Sequence, residues 1–167
     1  NVLQELSNSS TVNTVDTEGN KQGYWIIKGS MRPESGYLPE SIIEEGKYIN
    51  NKKEGVWKKY FKNGSLKTEI SYQANLPKGL YNIYFENGKV EESGNWDLDK
   101  NIGKFKRYYS TGQISQDFNF SNNGRRNGQQ KYYYENGVLN IDVEIKDGAE
   151  NGKMKRYYPN GDLEEEI

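Results

Sequence analysis

The chain has 167 residues, of which 32% are hydrophobic and 13% aromatic, with a formal net charge of −1. The aromatic content argues against disorder, and the near-neutral charge offers no general attraction to nucleic acid or to an anionic membrane. Cys and His are both absent, which excludes disulfides, thiol or imidazole catalysis and the commonest transition-metal sites.

The N-terminal residues 1–19 are rich in Ser, Asn and Thr and are predicted to be a flexible tail. The ordered domain is predicted over 20–167. The start at Asn1 and the stop at Ile167 are both compatible with a longer native chain.

Residues 20–54 read as an expanded first repeat. A strand phrase around Gly23–Ile27 and a second from Ile42 to Tyr48 flank a turn of roughly residues 28–41, which contains Pro33 and Pro39. Atypical terminal repeats cap arrays, so this segment is predicted to be the N-terminal cap.

Five full repeats follow. Each opens on a glycine and carries a second glycine nine residues later, and the opening glycines are Gly55, Gly79, Gly103, Gly128 and Gly152. A fixed period of this size indicates a repeat array, and arrays build surfaces more readily than single catalytic pockets.

Each repeat is predicted to be a β-hairpin. We number every repeat from its opening glycine as position 0, so that Asn-Gly (Thr-Gly once) stands at +8 and +9. Asn-Gly favours a two-residue type I′ turn, which would place +6 opposite +11, +4 opposite +13, +3 opposite +14 and +2 opposite +15. In four of the five repeats this register sets a Lys at +3 opposite an acid at +14. Such cross-strand charge pairs support the register.

The predicted strands have two faces. Positions +2, +6, +11 and +15 carry large apolar groups on one face, and the Lys–acid pairs and a row of Tyr at +5 occupy the other. The predicted fold is therefore all-β: an elongated, twisted, single-layer antiparallel sheet of about six stacked hairpins. A single layer cannot bury its apolar face against a second one, so that face must curl, dimerise or receive a partner.

The phrase from Gly55 to Ile70, with its copies to residue 167, resembles the bacterial MORN-repeat variant family. The resemblance covers about residues 20–167 and implies an elongated, twisted sheet of hairpins with a groove on one face. Many family members are labelled antitoxin components, and eukaryotic relatives are linked to membrane or protein docking. The family motif is structural, so the resemblance transfers no set of site residues.

The function expected from these features is a non-catalytic scaffold that presents an aromatic groove to a protein partner, in an antitoxin- or immunity-like role. The partner is expected to lie in the groove as an extended strand or loop. The candidate partner-binding residues are Trp57, Tyr81, Phe105, Arg107 and Tyr132. A bacterial envelope or secreted location is slightly favoured over the cytoplasm.

Other functions were weighed. A carbohydrate or cell-wall binding module is the alternative, although Trp occurs only at residues 25, 57 and 96 and not in a Trp-rich double phrase. Membrane docking is disfavoured by the charge, and no nucleic-acid partner or cofactor is expected. No metal site is expected, because the fragment Asp97-x-Asp99 is too sparse for a Ca²⁺ loop. The acids sit in cross-strand pairs or loops, so no catalytic residue is assigned and no enzyme activity is expected.

Overall fold

The computed structural model describes residues 11–167. Within that range the chain is all-β, with strands, turns and two 3-10 turns but no α-helix, and therefore no helix that could cross a membrane. The strands are antiparallel and consecutive strands pair as hairpins. The chain divides into two compact units, one ending at Leu76 and the other beginning at Pro77.

The first unit contains two hairpins, β2–β3 and β4–β5, with a short strand β1 at the edge of β2. The connection between β2 and β3 carries the two 3-10 turns, Gly29–Met31 and Pro33–Ser35. The strands are β1 Thr14–Val15, β2 Lys21–Lys28, β3 Ile42–Ile49, β4 Lys52–Tyr60 and β5 Leu66–Gln73.

The second unit contains four hairpins: β6–β7, β9–β10, β11–β12 and β13–β14. Strand β7 also pairs with β8 and β9, β10 with β11, and β12 with β13, so the unit is one antiparallel meander. The strands are β6 Leu76–Tyr84, β7 Val90–Asp97, β8 Lys100–Asn101, β9 Gly103–Tyr108, β10 Ile114–Phe120, β11 Gly128–Tyr133, β12 Leu139–Lys146, β13 Ala149–Tyr157 and β14 Leu163–Glu166.

The predicted tail falls in two parts. Residues 1–10 lie outside the described residues. Within 11–19, Thr14 and Val15 form β1 opposite Gln22 and Lys21, so pairing starts earlier than residue 20. The Asn13 side chain holds this edge through two hydrogen bonds to the backbone of Ile26. The Ser/Asn/Thr-rich composition of residues 1–19 did not indicate this contact.

The register inside the strands is as predicted. Position +3 lies opposite +14 in every repeat, as in Lys58–Glu69 and Lys131–Asp142. Positions +2/+15 and +4/+13 also pair as predicted, for example Trp57 with Ile70.

The predicted turn type is wrong. Only the glycine at +9 has a positive φ (88° at Gly64), whereas a type I′ turn needs positive φ at both central residues. The Gly64 amide donates to the Phe61 carbonyl at 2.9 Å, and the Phe61 amide donates to the Ser65 carbonyl at 2.8 Å. This geometry is a type I turn followed by a glycine bulge.

Turns with two positive φ angles occur instead where one hairpin connects to the next. Asn50 and Asn51 have φ of 48° and 66°, and Asp147 and Gly148 have φ of 51° and 85°. Both pairs join strands through two residues, as type I′ turns do.

The turn changes the predicted faces. Because the bulge absorbs one residue, +5 rather than +6 lies opposite +11, as in Tyr60–Leu66 and Tyr133–Leu139. Position +11 therefore shares the face of the Tyr row, and +6 belongs to the turn. The prediction that +6 and +11 line the apolar face is corrected, while +2 and +15 do line it.

The Tyr at +6 connects neighbouring hairpins. The Tyr109 hydroxyl donates to the Tyr133 carbonyl at 2.6 Å, and the Tyr134 hydroxyl donates to the Tyr157 carbonyl at 2.8 Å. In the first unit Tyr37, which lies in the expanded connection, makes the same kind of bond to the Tyr60 carbonyl.

The face opposite the buried rings carries a continuous charge ladder. From β9 to β14, successive cross-strand neighbours alternate in sign, and every step is an aligned pair. Its members are Lys106, Asp117, Lys131, Asp142, Lys155 and Glu166. The ladder contains three lysines and three acids, so its own charges balance.

Asn at +8 is explained by its two hydrogen bonds. The Asn136 carbonyl oxygen accepts from the Val138 amide at 2.9 Å, and its amide donates to the Pro159 carbonyl of the next hairpin at 2.9 Å. Replacing Asn136 with Ala should lower the free energy of unfolding by about 1 to 2 kcal/mol, because both bonds are lost. Urea unfolding measures the loss.

The variant Asn136→Asp keeps the acceptor for the Val138 amide but sets a carboxylate oxygen against the Pro159 carbonyl oxygen. It should therefore be at least as destabilised as the Ala variant. Equal stability of wild type and Asn136→Ala would contradict the assignment of this residue as a link between hairpins.

Candidate partner-binding face

The face that carries +2 and +15 holds the buried rings in both units, and we call it the aromatic face. It consists of the side chains at +2, +4, +13, +15 and +17 together with the side chain at −2. Alternation along a strand places these residues on one side of the sheet. The row at +4 and +13 runs between the buried rings and the turns.

In the first unit the core is a run of three rings. The centroids of Trp25 and Tyr48 are 5.8 Å apart, and those of Tyr48 and Trp57 are 4.7 Å apart, both edge-on. Trp57 is 2% exposed and lies over Gly46, whose missing side chain leaves room for the indole. The Lys53 ammonium covers the outer side of the Trp57 ring at 4.4 Å from its centroid. A lysine at −2 and a glycine at +15 thus bury a ring without a second sheet.

In the second unit Tyr81 stacks on Trp96 with 3.9 Å between centroids. The Tyr81 hydroxyl bonds to Glu92 at 2.9 Å and to Asn101 at 3.0 Å. Burial raises the pKa of Tyr81, and the neighbouring Glu92 raises it further. The ring therefore stays neutral and fixed as part of the core.

A second cluster of rings follows along the same face. Phe118 lies 5.9 Å from Phe105 and 5.0 Å from Tyr132, measured between centroids. The Arg126 guanidinium lies 5.6 Å from the Phe118 centroid and donates to the Tyr132 hydroxyl at 3.1 Å. Arg126 stands at −2, as Lys53 does in the first unit.

The five predicted site residues fall into two groups. Trp57 and Tyr81 are each 2% exposed and Phe105 is 6% exposed, so these three are core side chains that a partner cannot contact directly. Arg107 and Tyr132 remain accessible: Arg107 is about half exposed and Tyr132 half-buried. Phe105 and Arg107 lie on β9 and Tyr132 lies on β11 of one unit, whereas Trp57 lies in the other unit.

The accessible part of the second unit's aromatic face forms a groove of about 320 Å³. Its floor is formed by Tyr132, Ile141, Val143, Ile145 and Met154; Val143 and Ile145 are buried, and the exposed lining is slightly more polar than apolar. Charged side chains rim it: Arg126, Glu150 and Arg156. The Arg156 guanidinium lies 3.7 Å from Glu165, so one rim charge is partly balanced. We call this feature the Tyr132 groove.

The +4/+13 row passes through this groove as a chain of cross-strand neighbours. Glu92 pairs with Arg107 through a 2.7 Å ion pair, Gln116 stands between Arg107 and Tyr132, and Ile141 follows Tyr132. The row therefore changes from ionic near β7 to apolar at β12. This change explains why the groove opens around Tyr132 rather than around Arg107.

Sequence reasoning missed most of the groove. Arg126 stands at −2, a position that lies outside the repeat as it was numbered from its opening glycine. The apolar residues at +13 and +17 in β12, Ile141 and Ile145, were the available signal, since the other repeats place polar or aromatic residues there. Among residues 11–167, no group of three or more acidic side chains could hold a metal ion.

Comparison with known proteins identifies the family of the repeat. The family model described as MORN repeat variant matches five segments, residues 53–74, 77–97, 102–122, 126–147 and 150–167. Each segment starts one or two residues before a predicted opening glycine, so the model includes the −2 or −1 position. No curated protein matches the chain significantly. The five segments together cover more than half of the sequence, and the chain belongs to the MORN repeat variant family.

Proposed function

We propose that the chain is a non-catalytic binding scaffold that holds a segment of a protein partner in the Tyr132 groove. The observation that supports this most directly is the groove itself, about 320 Å³ in volume, in which the partly exposed side chains of Tyr132, Ile141 and Met154 lie inside a rim of charges. Exposed apolar surface rimmed by polar groups is typical of interaction sites. Tyr and Arg, which flank the groove, are the side chains most enriched at interaction hot spots.

The form of the groove favours a protein segment over a sugar. Sugar-binding platforms present flat ring faces, whereas the Trp57 ring at +2 is buried beside Lys53 and the Phe118 ring at +15 is buried beside Arg126. An extended segment would lay alternate apolar side chains on Ile141 and Met154 and place polar ones against Arg126 and Arg156. The role we propose within the cell is capture of a single partner, in the manner of an antitoxin or immunity protein.

The experiment is capture by the tagged full-length chain, followed by a binding measurement with the purified partner. Ile141→Glu and Met154→Glu each place a charge on the groove floor and should weaken binding about thirtyfold, as hot-spot changes of about 2 kcal/mol do. The matched control is Lys146→Glu, which changes an exposed residue elsewhere on β12. Circular dichroism of each variant checks that the sheet is intact.

Equal binding by the wild type, both groove variants and the control would contradict the proposal. Retention of glucan or peptidoglycan by the wild type, lost in the groove variants, would instead support the carbohydrate alternative. Restored growth on co-expression with a toxic partner would support the immunity role.

A further inference from the structure

A buried carboxylate in the first unit is surrounded by an excess of cations. Glu44, at +13 of the first repeat, is 4% exposed although it is charged. Three cations converge on its carboxylate: Arg32 at 3.3 Å, Lys53 at 3.5 Å and Lys59 at 3.9 Å. Arg32 comes from the expanded connection, and the two lysines come from −2 and +4 of the next strand. One negative charge therefore meets three positive ones.

The same position in the second unit shows what a balanced site looks like. Glu92 also stands at +13, and the +4 residue of the next repeat is again a cation, Arg107. Here one cation contacts the acid at 2.7 Å, and the −2 position holds the neutral Asn101, which bonds to Tyr81. The Glu92 site is neutral, whereas the Glu44 site carries two surplus positive charges. The surplus is thus particular to the first unit and does not follow from the repeat.

The surplus charge lies at the surface. The side chains of Arg32 and Lys59 are 42% and 48% exposed, while that of Glu44 is 5% exposed. The carboxylate is therefore the floor of the cluster, Arg32 and Lys59 form its outer layer, and Lys53, 18% exposed, lies between them and the floor in exposure. At these distances Arg32 donates a single hydrogen bond to Glu44, which leaves guanidinium N–H groups for another acceptor.

The residues around Lys53 favour binding of a further anion to the cluster. Lys53 lies against the Trp57 and Tyr72 rings, 4.4 Å and 5.3 Å from their centroids; the ring faces attract its ammonium but carry no net charge, so they leave the surplus of the cluster unchanged. Burial lowers the pKa of Lys53; Glu44 acts in the opposite direction, and Lys59 and Arg32 lower the pKa further. A further anion at the cluster would relieve this repulsion among cations.

We propose that Arg32, Lys53 and Lys59 form an anion site that binds the carboxylate of an acidic side chain on an extended segment of a partner protein. The site lies in the first unit and is separate from the Tyr132 groove. A carboxylate matches the planar fork of the Arg32 guanidinium. A phosphate dianion would bring a second negative charge toward Glu44, which disfavours it.

The test uses the full chain and a fluorescently labelled hexaglutamate peptide, with hexaglutamine as the uncharged control, followed by anisotropy at low ionic strength. The wild type should bind hexaglutamate and not hexaglutamine. Arg32→Gln and Lys59→Gln should each weaken binding roughly fivefold. Glu44→Gln should tighten it, because it removes the only competing carboxylate of the cluster.

The matched control is Lys47→Gln, which removes one positive charge from the same unit at a residue paired with Glu54 and outside the cluster. Equal weakening by Lys47→Gln and Lys59→Gln would overturn the proposal, because it would mean unspecific attraction. Preferential binding of inorganic phosphate or of phosphatidylserine vesicles would also overturn it. Because Arg32 and Lys59 are exposed, their Gln variants should fold even if Glu44→Gln does not. The binding measured with these two variants is then sufficient to test the proposal. The probe is independent of the groove partner, so failure here leaves the groove proposal standing.

Discussion

Replacing Gly46 with Ala should lower the free energy of unfolding of the first unit by about 3 kcal/mol, the upper range for overpacking a core. A Cβ at residue 46 would lie 2.4 Å from Cδ2 and 2.5 Å from Cε2 of Trp57. The indole is 2% exposed and packs against Tyr48 and Lys53, so a shift of the ring would disturb both contacts. Urea denaturation followed by circular dichroism measures the loss.

Gly55→Ala separates this steric effect from backbone strain. Gly55 has a φ of 68° and no atom within 4 Å of a Cβ built there, so its cost should come from the backbone alone, about 1 to 2 kcal/mol. A double-mutant cycle with Trp57→Phe should then recover part of the Gly46→Ala loss. Gly46→Ala as stable as the wild type would show that Trp57 does not rest on this glycine.

Gln130→Met should destabilise the second unit by about 2 to 3 kcal/mol, although Met stands at the same +2 position in the last repeat. Gln130 is fully buried, and its amide nitrogen donates to the carbonyls of Asn119, Asn127 and Gly128. Its oxygen accepts from the Asn119 amide at 3.3 Å. Methionine fills a similar volume but makes none of these bonds; the Asn119 carbonyl then keeps the Asn127 amide and the Asn127 carbonyl keeps the Asn119 side chain as donors.

The neighbouring Gln129→Met is the control for this variant. Gln129 is exposed and its side chain bonds only to Asp142 on the opposite face, so the change should fall within about 0.5 kcal/mol of the wild type. Thermal or urea unfolding of both variants checks the difference. A Gln130→Met protein of wild-type or greater stability would mean that the position simply prefers an apolar side chain.

The strand register could be predicted from the sequence because it rests on local complementarity. Lys131 opposite Asp142 and Lys58 opposite Glu69 are recognisable once the turn is centred on the second glycine. The turn type could not be predicted in the same way. Asn-Gly is compatible with both a type I′ turn and a type I turn with a bulge, and Thr111-Gly112 forms the same bulged turn without an Asn, so the dipeptide does not decide between them.

The candidate site was less predictable than the fold. The rings at +2 were expected to be accessible to a partner. Trp57 is instead buried, because it packs on Gly46 of the preceding repeat and because Lys53 of its own repeat covers it. That burial is a property of stacked neighbours, which a repeat considered by itself does not show. Likewise, the Glu44 cluster needs Arg32, which an irregular connection supplies from twelve residues away.

The charge ladder of the second unit determines which changes in the number of repeats keep opposite charges side by side. Its signs recur every two strands, so Asp117 would meet a lysine whether its next neighbour were Lys131 or Lys155. Excising or duplicating one whole 24- or 25-residue module would therefore leave each seam electrostatically matched, whereas gaining or losing a single strand would set like charges side by side. The length of the array is thus free to drift in evolution by tandem duplication, in steps of one hairpin.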